Sequence, residues 1–169
     1  MKPDGEAPLK KRWQYGQSFV EMAIGMTVLV FLLGGVFDVG RAMLILIAVE
    51  NATGEGALYG VTHLECVAPD HAPTICQGSE SVAGRVRAEG EPMITIDPTN
   101  VTIALEDSGT VVALTSGSDI VAGRTLRVDV TYTYTPATPI GFWLWGDKAE
   151  VKATARQEIL SPPPPGYEY

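Results

Sequence analysis

Two groups of residues in this chain have the types and spacing to do chemistry. The first is Glu21, immediately before Met22–Phe37, a run with no charged residue and a single hydroxyl, Thr27. A helix of that length covers about 24 Å at ~1.5 Å per residue. That falls short of the ~30 Å hydrocarbon core of a bilayer. Phe19 and Val20 before the run, and Arg41 reaching outward after it, extend the expected span to about residues 19–41. A carboxylate at bilayer depth is costly and calls for a cationic partner. The second group is His63, Cys66, His71 and Cys76. All four residue types bind zinc, and their spacing is close to that of a zinc knuckle with His63 in place of the first cysteine. The competing chemistry is a Cys66–Cys76 disulfide, which an oxidising compartment favours. Such a bridge closes a short loop and contributes about 3 kcal/mol by the chain-entropy argument.

Charge decides between those two chemistries. Residues 1–16 carry Lys2, Lys10, Lys11 and Arg12 against Asp4 and Glu6, a net +2. The whole chain is −8, which leaves −10 for the remainder. Basic residues ahead of the apolar run place the N-terminus in the cytoplasm and the acidic remainder outside it. Thiols oxidise there, so the disulfide is favoured and no metal is expected. An acidic domain repels phosphate backbones, so no nucleic-acid partner is expected either. The apolar run is longer than a secretory h-region, and no small-x-small cleavage site follows it cleanly. Anchoring, or cleavage ahead of the run, is therefore expected.

The sequence does not point to an enzyme. Both histidines lie in the cysteine loop, and there is no Gly-x-Ser-x-Gly nucleophile motif. The acidic residues form no recognisable acid–base pair. The glycine-rich stretch Gly54–Gly60 lacks the Gly-Lys-Ser/Thr ending of a phosphate loop. Small residues there suit close packing of a helix on the following domain. No catalytic residue and no cofactor is expected.

The elements that position these residues read as α+β. Residues 1–16 are polar with Pro3, Gly5 and Pro8, and are expected to be a flexible cytoplasmic leader. Residues 17–60 read as one long helix, apolar on every side at first and amphipathic later. Asp38 and Arg41 are spaced i, i+3 and are expected to pair on one face. Residues 61–160 read as an extracytoplasmic α+β domain. Within it, residues 63–77 are a loop and residues 79–91 a short helix. Period-two alternation then marks strands over 101–106, 111–114, 126–135 and 151–159. Leu126, Val128, Val130, Tyr132 and Tyr134 share one face. Four such strands make a small, mostly antiparallel sheet with one buried face, covered by either helix. Phe142, Trp143, Leu144 and Trp145 sit in the loop between the last two strands, either exposed at a membrane or partner surface or packed under the sheet. Residues 161–169, with Pro162–Pro165, are expected to be an unpacked extended tail.

In combination these segments resemble the TadE/TadG-like family of tight-adherence pilus proteins. The resemblance is carried by Gly16-Gln17-Ser18-Phe19-Val20-Glu21 entering the apolar helix, by Phe37-Asp38-Val39-Gly40-Arg41-Ala42, and by the Gly54–Gly60 stretch. More loosely, the tyrosine-bearing strand ending at Thr135-Pro136, and the Ala-Thr-Ala strand after it, are similar to the family's closing strand pair. Met22 stands where major tight-adherence pilins carry an aromatic, and Gly54 and Leu58 stand where arginine is frequent.

The resemblance implies a minor pilin or pseudopilin with a prepilin-peptidase site at Gly16, Gln17 and Glu21, cleaved between Gly16 and Gln17. It implies that Glu21 meets the freed N-terminal amine of a neighbouring subunit. Asp38, Gly40 and Arg41 form the family's helix motif. The implied partners are other pilin or pseudopilin subunits, the prepilin peptidase, the inner-membrane assembly platform and membrane lipid. The alternative expectation is a permanently anchored envelope binding protein that keeps residues 1–16.

Overall fold

The computed structural model describes residues 10–67, 76–91, 93–114 and 119–160, with side chains from Gly16 onward. Its first element, α1 (Lys10–Thr62), is a single unbroken helix. It begins ahead of the expected start at residue 17, so residues 10–16 are helical where a flexible leader was expected. Residues 1–9 and the Pro-rich tail 161–169 lie outside the described residues. The segment Gly16–Thr62 is long and apolar enough to cross a membrane, with mean hydropathy 2.1 in its most apolar window. No residue of that window is buried by the rest of the chain.

From Asp38 onward α1 changes character. Ile45, Ala48, Val49, Ala52, Thr53 and Ala57 are buried, because this half packs on the α+β domain that follows. Thr53, a hydroxyl in an apolar stripe, satisfies itself by donating to the Val49 carbonyl at 2.6 Å. The short helix α2 (Val82–Gly90) lies against α1. Ser81 caps it by accepting from the Gly84 N–H at 3.0 Å. A β-carbon at Gly56 would stand 2.3 Å from Val86 Cγ2, and one at Gly60 would stand 2.5 Å from Leu126 Cδ2. The glycine-rich stretch is thus a close-packing surface, as its composition suggested.

The sheet contains β1 (Val101–Asp107), β2 (Thr110–Ala113), β3 (Thr125–Tyr134) and β4 (Ala149–Glu158). Its order is β2-β1-β3-β4, and every neighbouring pair is antiparallel. Ser108 (φ 50°) and Gly109 (φ 84°) both take the left-handed backbone that a tight two-residue hairpin loop requires. Leu126, Val128 and Val130 face α1 and are buried. The opposite face is polar: Arg127 binds Asp129 at 2.8 Å and Arg156 binds Glu106 at 2.8 Å. Of the two helices expected to cover the sheet, α1 does so, lying on β3 and β4.

The segment between β3 and β4 corrects the sequence reading. It holds a helix, α3 (Pro139–Trp145), where a loop was expected. Thr138 caps it and Pro139 supplies the pre-set first turn. Cys66 and Cys76 are joined in a disulfide with Cα atoms 5.1 Å apart.

Candidate functional site

The best-organised polar group among the described residues is Asp38, on α1 at the C-terminal end of the apolar stretch. Its side chain is fully buried. A buried carboxylate survives only if donors replace its water, and the turn between β3 and α3 supplies them. The Ala137 N–H donates to Oδ1 at 3.0 Å, and the Thr138 N–H donates to Oδ2 at 3.0 Å. The Thr138 hydroxyl also donates to Oδ2. The Tyr134 hydroxyl stands 3.3 Å from both Oδ1 and the Asp38 carbonyl oxygen. Thr138 Oγ1 in turn accepts from the Gly141 N–H at 3.3 Å. A continuous chain of bonds therefore runs from the first turn of α3 through Thr138 to α1, each bond polarising the next.

Glycine makes the approach possible. A β-carbon at Gly141 would stand 2.1 Å from Asp38 Oδ2. On α1, the β-carbon positions of Gly34 and Gly35 face Thr138 Cγ2 and Ile140 Cγ2, each at 3.4 Å. The Gly34-Gly35 pair thus admits α3 of the same chain.

The expected Asp38–Arg41 pair is replaced. Asp38 turns to Tyr134, Ala137 and Thr138, and the Arg41 guanidinium lies 5.5 Å over the Tyr134 ring. Burial, followed by the charge of Asp38 and its hydrogen bond, raises the Tyr134 hydroxyl above the ordinary tyrosine range. Gly40, the third residue of the motif, has open space around its β-carbon position. Tyr134, Thr138 and Gly141 were not singled out as partners of Asp38 from sequence. The signal available was Thr138-Pro139, a cap followed by proline at the first helical position.

The residues that the resemblance implies for processing are placed differently. Gly16, Gln17 and Glu21 are all exposed on the first half of α1. Nothing lies within 4 Å of a β-carbon at Gly16. In the cysteine loop the two sulfurs are bonded to each other, which removes both thiolates from the zinc reading. His63 stacks on Tyr59 with ring centroids 4.2 Å apart. His71 lies outside the described residues.

Beside the Asp38 seat, α1 and the edge strand β4 leave a groove of about 400 Å³ lined by Val39, Met43, Leu46, Tyr134, Trp145 and Val151. Val39, Met43 and Ile47 form an exposed apolar stripe at helical spacing, continuous with the apolar half of α1. Soluble surfaces do not usually carry such a stripe uncovered.

The family model described as TadE-like protein matches residues 16–58. This segment is TadE-like. The match covers the exposed half of α1, Gly16, Gln17 and Glu21, the Asp38 motif and most of the glycine-rich stretch. It ends before the disulfide and the sheet. No curated protein and no solved structure matches the chain.

Proposed function

We propose that this protein is a TadE-like minor pilin or pseudopilin, a non-enzymatic component of tight-adherence pilus assembly in the cell envelope. In this reading the N-terminus lies in the cytoplasm, α1 crosses the inner membrane once and the α+β domain stands outside. The observation that carries it is α1 itself. One unbroken helix combines the TadE-like segment, a membrane-length apolar half and an exposed stripe running on through Val39, Met43 and Ile47. Lateral packing against helices of neighbouring subunits covers that stripe and keeps the apolar half out of water once a subunit leaves the bilayer. Gly16 and Gln17 flank the bond that a prepilin peptidase cuts. The freed Gln17 amine of a neighbouring subunit supplies the cation that Glu21 needs. The assembly platform, other pilin or pseudopilin subunits and lipid complete the set of partners by family analogy.

The test is the intact mass of the protein purified from membranes of its native host, with a Glu21→Ala variant in parallel. A mature chain beginning at Gln17 is expected. A chain that keeps Lys10 to Gly16 overturns the processed-pilin reading.

One observation favours the second reading, a permanently anchored envelope binding protein. The Gly16–Gln17 bond lies inside α1, which starts at Lys10, and a helical peptide bond must unwind before a peptidase can close around it. The same mass measurement separates the two readings.

A further inference from the structure

The TadE-like segment leaves α3 unexplained. This helix runs Pro-Ile-Gly-Phe-Trp-Leu-Trp and carries no charge. Its inner side is spent on α1, with Gly141 buried against Asp38 and Ile140 set on Gly35. Its outer side presents three consecutive large apolar residues. Trp143 is 84% exposed, and Phe142 and Leu144 are more than half exposed. Asp147 and Lys148, both exposed, follow directly.

The position of this patch says what covers it. Gly34 and Gly35 are where α3 touches α1, and Asp38 ties the start of α3 to the next turn. Counting back from Gly34, roughly 20 residues of helix, about 30 Å, reach Tyr15, next to Trp13 and the basic cluster Lys10–Arg12. That is one hydrocarbon thickness, with aromatic residues and positive charge at the inner end. Placed this way the span runs over about residues 15–34, shifted toward the N-terminus from the expected 19–41, and its outer boundary falls at Gly34–Gly35, level with α3. Tryptophan favours this boundary, with its ring among the acyl ends and its N–H among the headgroups.

We propose that α3 is an interfacial membrane anchor, lying on the outer leaflet with Phe142, Trp143 and Leu144 in the zone between headgroups and acyl chains. An uncharged helix with one aromatic face suits burial to about 5–10 Å in that zone. Because Asp38 and the two glycines fix α3 to the spanning helix, the contact sets both the depth of α1 and the orientation of the sheet above the membrane. The inference rests on the anchored part of the reading above, and not on cleavage or entry into a filament.

The test uses the full chain in vesicles of phosphatidylcholine and phosphatidylglycerol. The chain has three tryptophans, so Trp13→Phe with Trp145→Phe leaves Trp143 as the reporter. A second protein carries Ile24→Trp with Trp13, Trp143 and Trp145 all changed to Phe, and reports on the middle of the span, about 15 Å below Gly34. The expected result for Trp143 is blue-shifted emission, quenched most by lipids brominated near the headgroup end of the acyl chain. The Ile24→Trp reporter is expected to be quenched most by lipids brominated deeper in the chain. The inference is overturned if the Ile24→Trp reporter is quenched while Trp143 emits as in water, which places α3 in solvent. It is equally overturned if Trp143 is blue-shifted but unquenched, which places α3 against protein such as a second copy of the chain. If neither reporter is quenched, α1 does not span, and the inference falls together with the anchored reading.

Discussion

Asp38 and Thr138 are 100 residues apart in sequence and meet at a single carboxylate oxygen, Oδ2, to which both the N–H and the hydroxyl of Thr138 donate. The apolar half of α1 and the α+β domain are joined at this point by hydrogen bonds that a neutral amide cannot reproduce. In Asp38→Asn the side-chain NH₂ must face donors, so at least one bond becomes a clash of donors in a buried site. The expected cost is about 1–3 kcal/mol. Tyr134→Phe removes only one long bond, and its cost should be near ~1 kcal/mol. Thermal unfolding of the detergent-solubilised chain checks both values. A ranking with Tyr134→Phe the more damaging would contradict this account of the seat.

Gly141 and Gly40 make a matched pair. Alanine at Gly141 would bring its β-carbon 2.1 Å from Asp38 Oδ2 and 2.9 Å from Pro136 Cβ, so either α3 or Asp38 must move. Overpacking of this kind costs about 1–3 kcal/mol. Alanine at Gly40 meets nothing within 4 Å, in a helix interior. It should stabilise α1 by up to about 1 kcal/mol through helix propensity alone. Opposite signs for the two Gly→Ala changes in one unfolding assay are the expected outcome.

The sheet was readable because its buried face has period two: Leu126, Val128 and Val130 alternate with Arg127, Asp129 and Thr131, and the structure buries the first set. The membrane-length helix was readable because lipid demands an uninterrupted apolar run. The partner of Asp38 was not. The local i, i+3 rule points to Arg41, whereas tertiary packing brings in two N–H groups and two hydroxyls from the distant β3–α3 turn. Helix α3 was missed for a different reason. Seven residues, apolar on nearly every side, have no polar face to set a helical period, and so short a helix holds only through its cap and its contact with α1.

Stability should fall in acid through the polar face of the sheet. Burial opposes the Asp129 carboxylate. The hydrogen bonds from Arg127 and Thr154, with the charges of Arg127 and Arg156, outweigh it and hold the pKa below the ordinary aspartate value. Asp97 is held low in the same direction by the N–H and hydroxyl of Thr99. A carboxylate depressed in the folded state contributes stability that is fully present above its unfolded pKa, near ~4, and is lost as pH falls through the folded value. Unfolding should therefore be insensitive to Asp129 ionisation between pH 5 and pH 7, taken as roughly one unit or more above that pKa, and should become easier at lower pH. Asp129→Asn should flatten that acid limb. An unchanged acid limb in the variant would mean the stabilising charge lies elsewhere.

Opening the disulfide should loosen one end of the α+β domain without unseating α3. Cys66 and Cys76 close a loop with a sequence separation of 10, for which chain entropy gives about 3 kcal/mol. The pair Cys66→Ser, Cys76→Ser, or treatment with a reductant, should lower the unfolding midpoint. The Trp143 emission should stay as in the oxidised protein, because α3 is held by Asp38 and the Gly34–Gly35 surface. A shift of that emission on reduction would show that the loop and α3 are coupled.

The exposed stripe separates a folding role from an assembly role. Met43 is 57% exposed and Ile47 53% exposed, on the part of α1 whose opposite side packs on the sheet. Lysine at either position meets solvent in the isolated protein, so stability should change by no more than about 0.5 kcal/mol. In an assembly the same lysine lies between apolar helices and must bury a charge without a partner, which costs several kcal/mol. Met43→Lys or Ile47→Lys should therefore leave the unfolding midpoint and membrane anchoring intact while abolishing chemical cross-links between copies and recovery in sheared filaments. Lateral packing through this stripe would be excluded if cross-linking and filament recovery persisted with both lysines present. The groove between α1 and β4, which shares Val39 and Met43 with the stripe, would then lose its argument as a subunit contact as well.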